Sequence, residues 1–499
     1  MRSWREVAAA RASLPASVMR LQSALAASGR IPDLVLVALG GLLVAGAIVL
    51  DLKGPLPYLI VAVPVVLAAL WGQPAYGYAA LVGLVLLTEQ YPEVLAEGIE
   101  PWMPQALPIF ENIAQYTPLS FMHANIVELW LVLLAGVWFL RGVSRGEMRV
   151  RPVICPVALS LAALTVLVTF VIGVKTGGDF KIALWEVRAL GYLFGLAWLV
   201  PQLMDRRRDM MVLLWVIVGT LGIKAFQGLY RYFVALRMQL ALEDTFMAHE
   251  DPVMFVPLFF LLILLVHYRL ERRLTRFLAV TTPILLAVLA LTQRRVAYVS
   301  LILCGAFLMV LLRPAARWKF AQMAAPAMLV IALYGVMFYG TSSPLGRPIA
   351  RALQLFEAGN TSNQYRVVEE ENLRHTIDLH PWGVGYGQPF EMLHDLPKTW
   401  VFYDYIPHNE ILWIWVKSGT LGFIVVMYFF ARVIAEAAWA HRVLRDPLFR
   451  VLAAVVAIAV FNQLVVAYYE LQLTYTRNMV YLGTLLGLLG RTIRWDRLS

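Results

Sequence analysis

The chain is built from about fourteen apolar runs, near residues 32–50, 57–72, 75–89, 125–140, 153–174, 183–204, 210–229, 253–268, 277–293, 296–313, 319–339, 409–438, 449–468 and 476–490, most of them separated by short polar stretches. A helix needs roughly 20 mostly apolar residues to cross the hydrocarbon of a bilayer. Inside lipid only helices and closed barrels satisfy their own backbone, and these runs are too continuous for the alternating strands of a barrel. The whole sequence is 60% hydrophobic and 15% charged, with a mean hydropathy of +0.70. The pattern therefore predicts an all-α, polytopic transmembrane helical bundle of about 12–14 spans. The range reflects the first three runs, one of which suits a re-entrant or tilted half-span.

Every second loop is basic. Arg141, Arg145, Arg149 and Arg151 follow the fourth run, Arg206 to Arg208 the sixth, and Arg269, Arg272, Arg273 and Arg276 the eighth. Arg313, Arg317 and Lys319 follow the tenth, Arg442, Arg445 and Arg450 the twelfth, and Arg491, Arg494 and Arg497 close the chain. The positive-inside tendency puts all of these in the cytoplasm. It also accounts for the net charge of +10 without any nucleic-acid partner. Residues 1–30 are rich in Arg and Ala, and no apolar core precedes "ALAASG"; they read as a cytoplasmic, interfacial segment, not a cleaved signal. Five regions follow: residues 1–30, a transmembrane bundle over 31–339, a large partly helical loop over 340–408 before the twelfth span, C-terminal helices over 409–490, and a tail over 491–499. Cys155 and Cys304 both lie in apolar runs and suggest neither a disulfide nor a metal site. No internal repeat is visible, which leaves the inverted-repeat plan of many transporters without support.

Polar residues inside or at the mouths of spans are costly, so each raises a functional question. In "GGDFKIALWEVRALGYLF", Lys181 and Arg188 share one helical face, roughly 10 Å apart along the axis, with Glu186 between them. They suit an anion clamp; the competing reading is snorkelling or a structural pair. In "ALTQRRVAYVS", Arg294 and Arg295 sit at a turn on the non-cytoplasmic side, where arginine is unusual. Guanidinium groups bind phosphate bidentately, against the plainer reading of a headgroup anchor. In "DTFMAHEDPVMF", His249, Glu250 and Asp251 precede a span, but adjacent positions lack the helical spacing of a strong metal motif. In "PHNEILWIWVKSGTLGF", Pro407 suits a helix start and places His408 in the first turn, beside Asn409 and Glu410. The positive end of the helix dipole favours a neutral imidazole there, one able to accept a proton. A capping histidine is the alternative. His408, Leu412, Trp415 and Gly419 would share one face. Upstream, Gly383, Gly385 and Gly387 suit a tight turn. Tyr365, Trp382, Tyr386, Trp400, Phe402, Tyr403 and Tyr405 offer flat faces to sugars, although aromatic residues also favour membrane interfaces.

"HPWGVGYG" followed by "PHNEILWIWVKSGTLGF" resembles the O-antigen ligase and polymerase superfamily. Its H-P-x-x-G-x-G stretch, its H-N-x-x-L and its G-x-x-G correspond to His380, Pro381, Gly383, Gly385, His408, Asn409, Leu412, Gly419 and Gly422. "TQRR" resembles the family's T-x-S-R turn, with Arg295 on the Arg position and Arg294 in place of Ser. "ALWEVRAL" resembles its Arg-bearing helix, with Arg188 as the match. The resemblance, over roughly 175–440, implies a multi-pass protein of the bacterial inner membrane with its active site facing the periplasm. It implies inverting glycan transfer from a saccharide on undecaprenyl diphosphate to an acceptor hydroxyl, without nucleotide-sugar, cofactor or metal. A ligase uses lipid A–core as acceptor; a polymerase uses a growing glycan or exopolysaccharide; a transporter or flippase of lipid-linked glycan is a more distant alternative. In this scheme His408 is the base and Arg188 and Arg295 hold the diphosphate. Arg294, Lys181, His249, Glu186, Asn409, Tyr386 and Tyr405 support substrate binding, with Glu250 or Glu410 orienting the base. Which of Arg294 and Arg295 touches the diphosphate stays open. Membrane lipids are the remaining partner.

Overall fold

The computed structural model describes residues 70–90, 109–115, 123–146, 148–238, 246–292, 294–341, 343, 346–354, 361–398 and 402–498. The expected interfacial segment 1–30, the first apolar run, most of the second, and residues 91–108 and 116–122 lie outside these. Among the described residues the chain forms helices and no strand. In order these are α1 (Pro74–Leu87), α2 (Ile126–Ser144), α3 (Pro156–Lys175), α4 (Phe180–Leu203), α5 (Arg207–Tyr230), α6 (Glu250–Tyr268), α7 (Arg272–Leu291), α8 (Arg295–Leu311), α9 (Pro314–Phe338), α10 (Arg347–Leu353), α11 (Thr361–Leu379), α12 (Glu410–Val443), α13 (Pro447–Ala467) and α14 (Thr476–Leu498). Each apolar run from the third onward becomes one helix. Nine helices among the described residues are long and apolar enough to cross a membrane. α1, with 14 residues, is only about 21 Å long, short of the roughly 30 Å of hydrocarbon.

Local chemistry sets the helix starts. Proline stands in the first turn of α1, α3, α9 and α13, where its missing N–H costs nothing. Asn125, Asp179, Asn409 and Asp446 cap α2, α4, α12 and α13 by accepting from backbone N–H groups one turn in. Between helices in lipid there is no hydrophobic gain, so close packing decides association. α4 and α14 pack most extensively. Gly483 and Gly487 of α14 lie directly against Leu196 and Val200 of α4, where a side chain would not fit.

The helix ends sort onto two faces. One carries the basic loops, and it is knitted together by Arg207 with Asp446 at 2.5 Å and by Asp496, which accepts from the backbone N–H of Arg445 and Asp446. The other face gathers the N-terminal ends of α2, α4, α6, α8, α12 and α14 beneath the loop helix α11.

α12 is broken at Gly419, whose φ of 67° and ψ of 178° suit glycine alone. The break frees carbonyls that a regular helix would occupy. The chain after α11 dips in to take them: Val384 N–H donates to the Val416 carbonyl at 2.9 Å and Gly385 N–H to that of Lys417 at 3.0 Å. Thr420 N–H returns a bond to the Pro381 carbonyl at 2.9 Å. Gly383, at φ 86°, lies so close to Gly419 that a Cβ on either would strike the other's backbone. The expected tight turn is thus a backbone plug in a kinked helix. The kink also interrupts the helical face expected to run from His408 to Gly419.

Candidate active site

His408 does not lie in the first turn of α12. Asn409 is the N-cap and its side chain accepts from Leu412 N–H at 3.1 Å, so the helix starts at Glu410 and His408 precedes the cap. What holds the imidazole is Glu369, on α11. Its Oε2 accepts from the His408 backbone N–H at 2.9 Å and its Oε1 lies 3.1 Å from Nδ1. Glu369 is 2% exposed, while the His408 side chain keeps 29%. A carboxylate only accepts, so Nδ1 carries the proton and Nε2 is left as the acceptor. The Tyr365 ring meets the imidazole edge-on at 5.5 Å. Tyr365 and Glu369 are one helical turn apart, which is why both reach the same ring.

α11 also reaches the arginine turn. Arg295, at the first position of α8, donates to the Gln354 carbonyl at 3.2 Å and to Asn363 Oδ1 at 3.1 Å. Asn363 and Glu369 are six residues apart on α11, about 9 Å along its axis, so one helix positions both Arg295 and His408. Arg294 turns instead to His249, with Nη2 2.7 Å from Nε2. His249 keeps 39% of its side chain exposed, yet desolvation by the surrounding chain, and after it the Arg294 guanidinium, lower its pKa well below the ordinary imidazole value. A neutral ring accepts from Arg294 at Nε2 and turns Nδ1 towards Glu470, at 4.0 Å. Glu470 also faces Arg366 of α11 at 3.8 Å, and Tyr475 stacks over the His249 ring at 6.4 Å.

Arg188 and Lys181 occupy an adjoining cleft of about 380 Å³, lined also by Gln90, Trp185, Thr474 and Thr476. The two cations share one face, as their spacing predicts. Arg188 Nε lies 3.0 Å from Glu128 and its Nη2 donates to the His123 carbonyl at 2.6 Å. The segment from Glu470 to Thr476 is the common wall: Glu470 and Tyr475 face His249, while Thr474 and Thr476 face Arg188. His408, His249, Arg294 and Arg295 thus gather around α11, and Arg188 and Lys181 lie across that wall, on the same face of the bundle.

Glu410 and the acids after His249 fix the wall. Glu410 is fully buried; it accepts from the backbone N–H groups of Gln472, Leu473 and Thr474 and from the Thr474 hydroxyl. Glu250 and Asp251 turn away from His249 to Arg477, at 3.5 and 2.7 Å. Asp251 further faces Lys224 at 3.7 Å, and Glu89 joins Lys224 and Arg231. Three acids and three bases form a buried, charge-balanced lattice below the site. Neither Glu250 nor Glu410 meets His408; the carboxylate that does is Glu369.

Glu186 is turned inward as well. It pairs with Lys417 at 2.7 Å, both fully buried, and accepts from Gly387 N–H at 2.5 Å and Trp413 Nε1 at 3.3 Å. Lys417 in turn donates to the Gln388 carbonyl and lies over the Tyr405 ring at 5.6 Å. Tyr386 is fully buried, edge-on to Trp413 at 5.6 Å. Glu186, Tyr386 and Asn409 therefore lock the backbone plug and the start of α12. Of the aromatic set expected to face sugars, Trp382 is 80% exposed and Trp400 lies outside the described residues.

Helices long enough to span a membrane, with a histidine–carboxylate pair and several cations on one face, define a multi-pass membrane protein with a polar cluster at one end of its bundle. Residues 280–427 match the family model described as O-antigen ligase, and the match supports the O-antigen ligase and polymerase superfamily for this part of the chain. In general terms this assigns glycan transfer, with a lipid-linked glycan and an acceptor as substrates. The matched segment includes Arg294, Arg295, α11, the backbone plug and His408; Lys181, Arg188 and His249 lie before it. No curated protein matches the chain.

Proposed function

We propose that the chain is an inverting glycosyltransferase of the ligase type. Its donor is a saccharide on undecaprenyl diphosphate, and its acceptor is a sugar hydroxyl of lipid A–core at the periplasmic face of the inner membrane. The observation that carries this reading is the Glu369–His408 pair, set just before the Asn409 cap of α12, with cationic side chains on the same face of the bundle. Glu369 holds the Nδ1 proton, so Nε2 takes the proton of the acceptor hydroxyl as that oxygen bonds to the anomeric carbon. The bond from that carbon to the phosphate oxygen breaks, and the electron pair leaves with the diphosphate. Carboxylate support then stabilises the imidazolium that forms. The departing charge needs preplaced cations; Arg188 and Lys181 on one side of the 470–476 wall, and Arg294 and Arg295 on the other, supply them. A diphosphate is a good leaving group, so a base and cations are sufficient chemistry.

The test is a reaction of purified protein with lipid-linked glycan and lipid A–core, without nucleotide or ion gradient. Transfer to lipid A–core is expected, and its loss in His408→Ala. Growth of the lipid-linked chain alone would reassign the acceptor to that of a polymerase. Movement of the lipid-linked glycan across the bilayer without transfer would overturn the reading in favour of a transporter.

A further inference from the structure

At the opposite end of the bundle from His408, the ends of α2, α4 and α14, the start of α1 and the segment 149–152 that leads into α3 line a second cleft, of about 410 Å³. Six guanidinium groups line it, those of Arg141, Arg145, Arg149, Arg151, Arg491 and Arg494, with a single carboxylate, Asp205. We infer that this cleft binds the phosphate headgroup of an anionic membrane lipid.

The arginines divide into two sets. Arg151 and Arg491 build the floor. Arg151 donates to the carbonyls of Pro201, Gln202 and Met204, closing the C-terminal end of α4, and pairs with Asp205. Arg491 Nε donates to Met204 at 2.9 Å and its guanidinium lies over the Trp495 ring at 4.7 Å. The other four, Arg141, Arg145, Arg149 and Arg494, make no side-chain hydrogen bond or ion pair among the described residues; Glu147 of the same loop lies outside those. An orientation signal needs only basic residues in a loop. It does not need them folded around a concavity, where like charges repel unless an anion enters. Arginine forks are built for phosphate oxygens.

The surroundings favour a lipid as the source of the phosphate. α2 is a peripheral helix, and Phe139, Leu140 and Val143, beside the cleft, are 49%, 54% and 57% exposed. Trp138 and Leu203 form apolar parts of the wall. Acyl chains can lie along α2 while the headgroup enters the cleft, as in other basic pockets between membrane helices.

The experiment uses the full chain purified in detergent and offered phosphatidylglycerol or phosphatidylcholine vesicles, with retained lipid read by native mass spectrometry. The cleft variant is R145Q/R149Q/R494Q. The comparison variant R272Q/R273Q/R276Q removes equal charge from another basic loop. Wild type and comparison are expected to retain phosphatidylglycerol over phosphatidylcholine by about tenfold or more, and the cleft variant to lose that preference. Should the triple variant fail to fold, R145Q alone is expected to lose about fivefold, the worth of one basic residue near an anionic lipid. Equal retention by cleft and comparison variants overturns the assignment. So does inorganic phosphate raising the melting temperature as much as phosphatidylglycerol does, which would make free phosphate the ligand. None of these outcomes depends on glycan transfer.

Discussion

Replacing Glu369 by Gln probes the histidine pair with little change of shape. The wild-type carboxylate makes two contacts to His408, 3.1 Å to Nδ1 and 2.9 Å to the backbone N–H. Glutamine has one accepting oxygen, so one contact must go, and the ring loses its charged partner. A hydrogen bond to a charged group contributes about 1.5–3 kcal/mol, and about 1.4 kcal/mol is a factor of ten in rate. The expected loss in kcat is therefore about 10- to 150-fold, with little change in KM for the lipid-linked donor. The assay is initial-rate transfer by purified protein, with folding checked by thermal melting. Because Glu369 acts through His408, the double variant Glu369→Gln/His408→Ala should be no slower than His408→Ala alone. A rate within threefold of wild type, or a double variant whose losses multiply, would refute the assignment of Glu369 as the positioning carboxylate.

Glu186→Gln should lower stability by about 3–5 kcal/mol, because it strands the Lys417 ammonium in the interior; adding Lys417→Met should recover most of it, as read from melting in detergent. Gly419→Ala forces a Cβ into a backbone conformation reserved for glycine and against the Trp382 carbonyl. A cost of about 1–3 kcal/mol or more is expected, together with lost transfer as the plug shifts. The folded-state pKa of His249 lies below its unfolded value, so below about pH 6.5 the unfolded chain binds more protons and stability falls as pH falls. His249→Gln should flatten that slope between pH 6.5 and 5 while leaving stability above pH 7 nearly unchanged, as measured by melting across pH.

Among the described residues, the helices and the sorting of the basic loops onto one face were legible in the apolar runs and arginine loops, because lipid leaves the backbone so few options. α2 to α9 and α12 to α14 each descend from one run. The cations were legible for the same reason: Lys181, Arg188, Arg294 and Arg295 are expensive where they stand, and all lie at the loop face. Roles that depend on which way a side chain turns were not legible. Glu186, Glu250 and Glu410 look like site carboxylates in one dimension, yet each turns to a partner far along the chain: Lys417, Arg477 and the 472–474 backbone. Glu369 hides within Glu369, Glu370 and Glu371, with nothing in its spacing to His408 to single it out. A faint signal existed, since Tyr365, Glu369, Leu373 and Thr376 fall on one face of α11, and a carboxylate on the inward face of an otherwise polar helix needs a partner. The first-turn placement of His408 failed because Asn409 is the better cap.

Cations on both sides of the 470–476 wall are proposed to serve one diphosphate in front of His408. The most direct measurement is an electron cryomicroscopy structure of the full chain in a lipid nanodisc with undecaprenyl diphosphate bound. Diphosphate density is expected to touch Arg188 on one side and Arg294 or Arg295 on the other, with His408 Nε2 facing the terminal phosphate's outer side. Diphosphate held by one cation set alone, out of reach of His408, would contradict it.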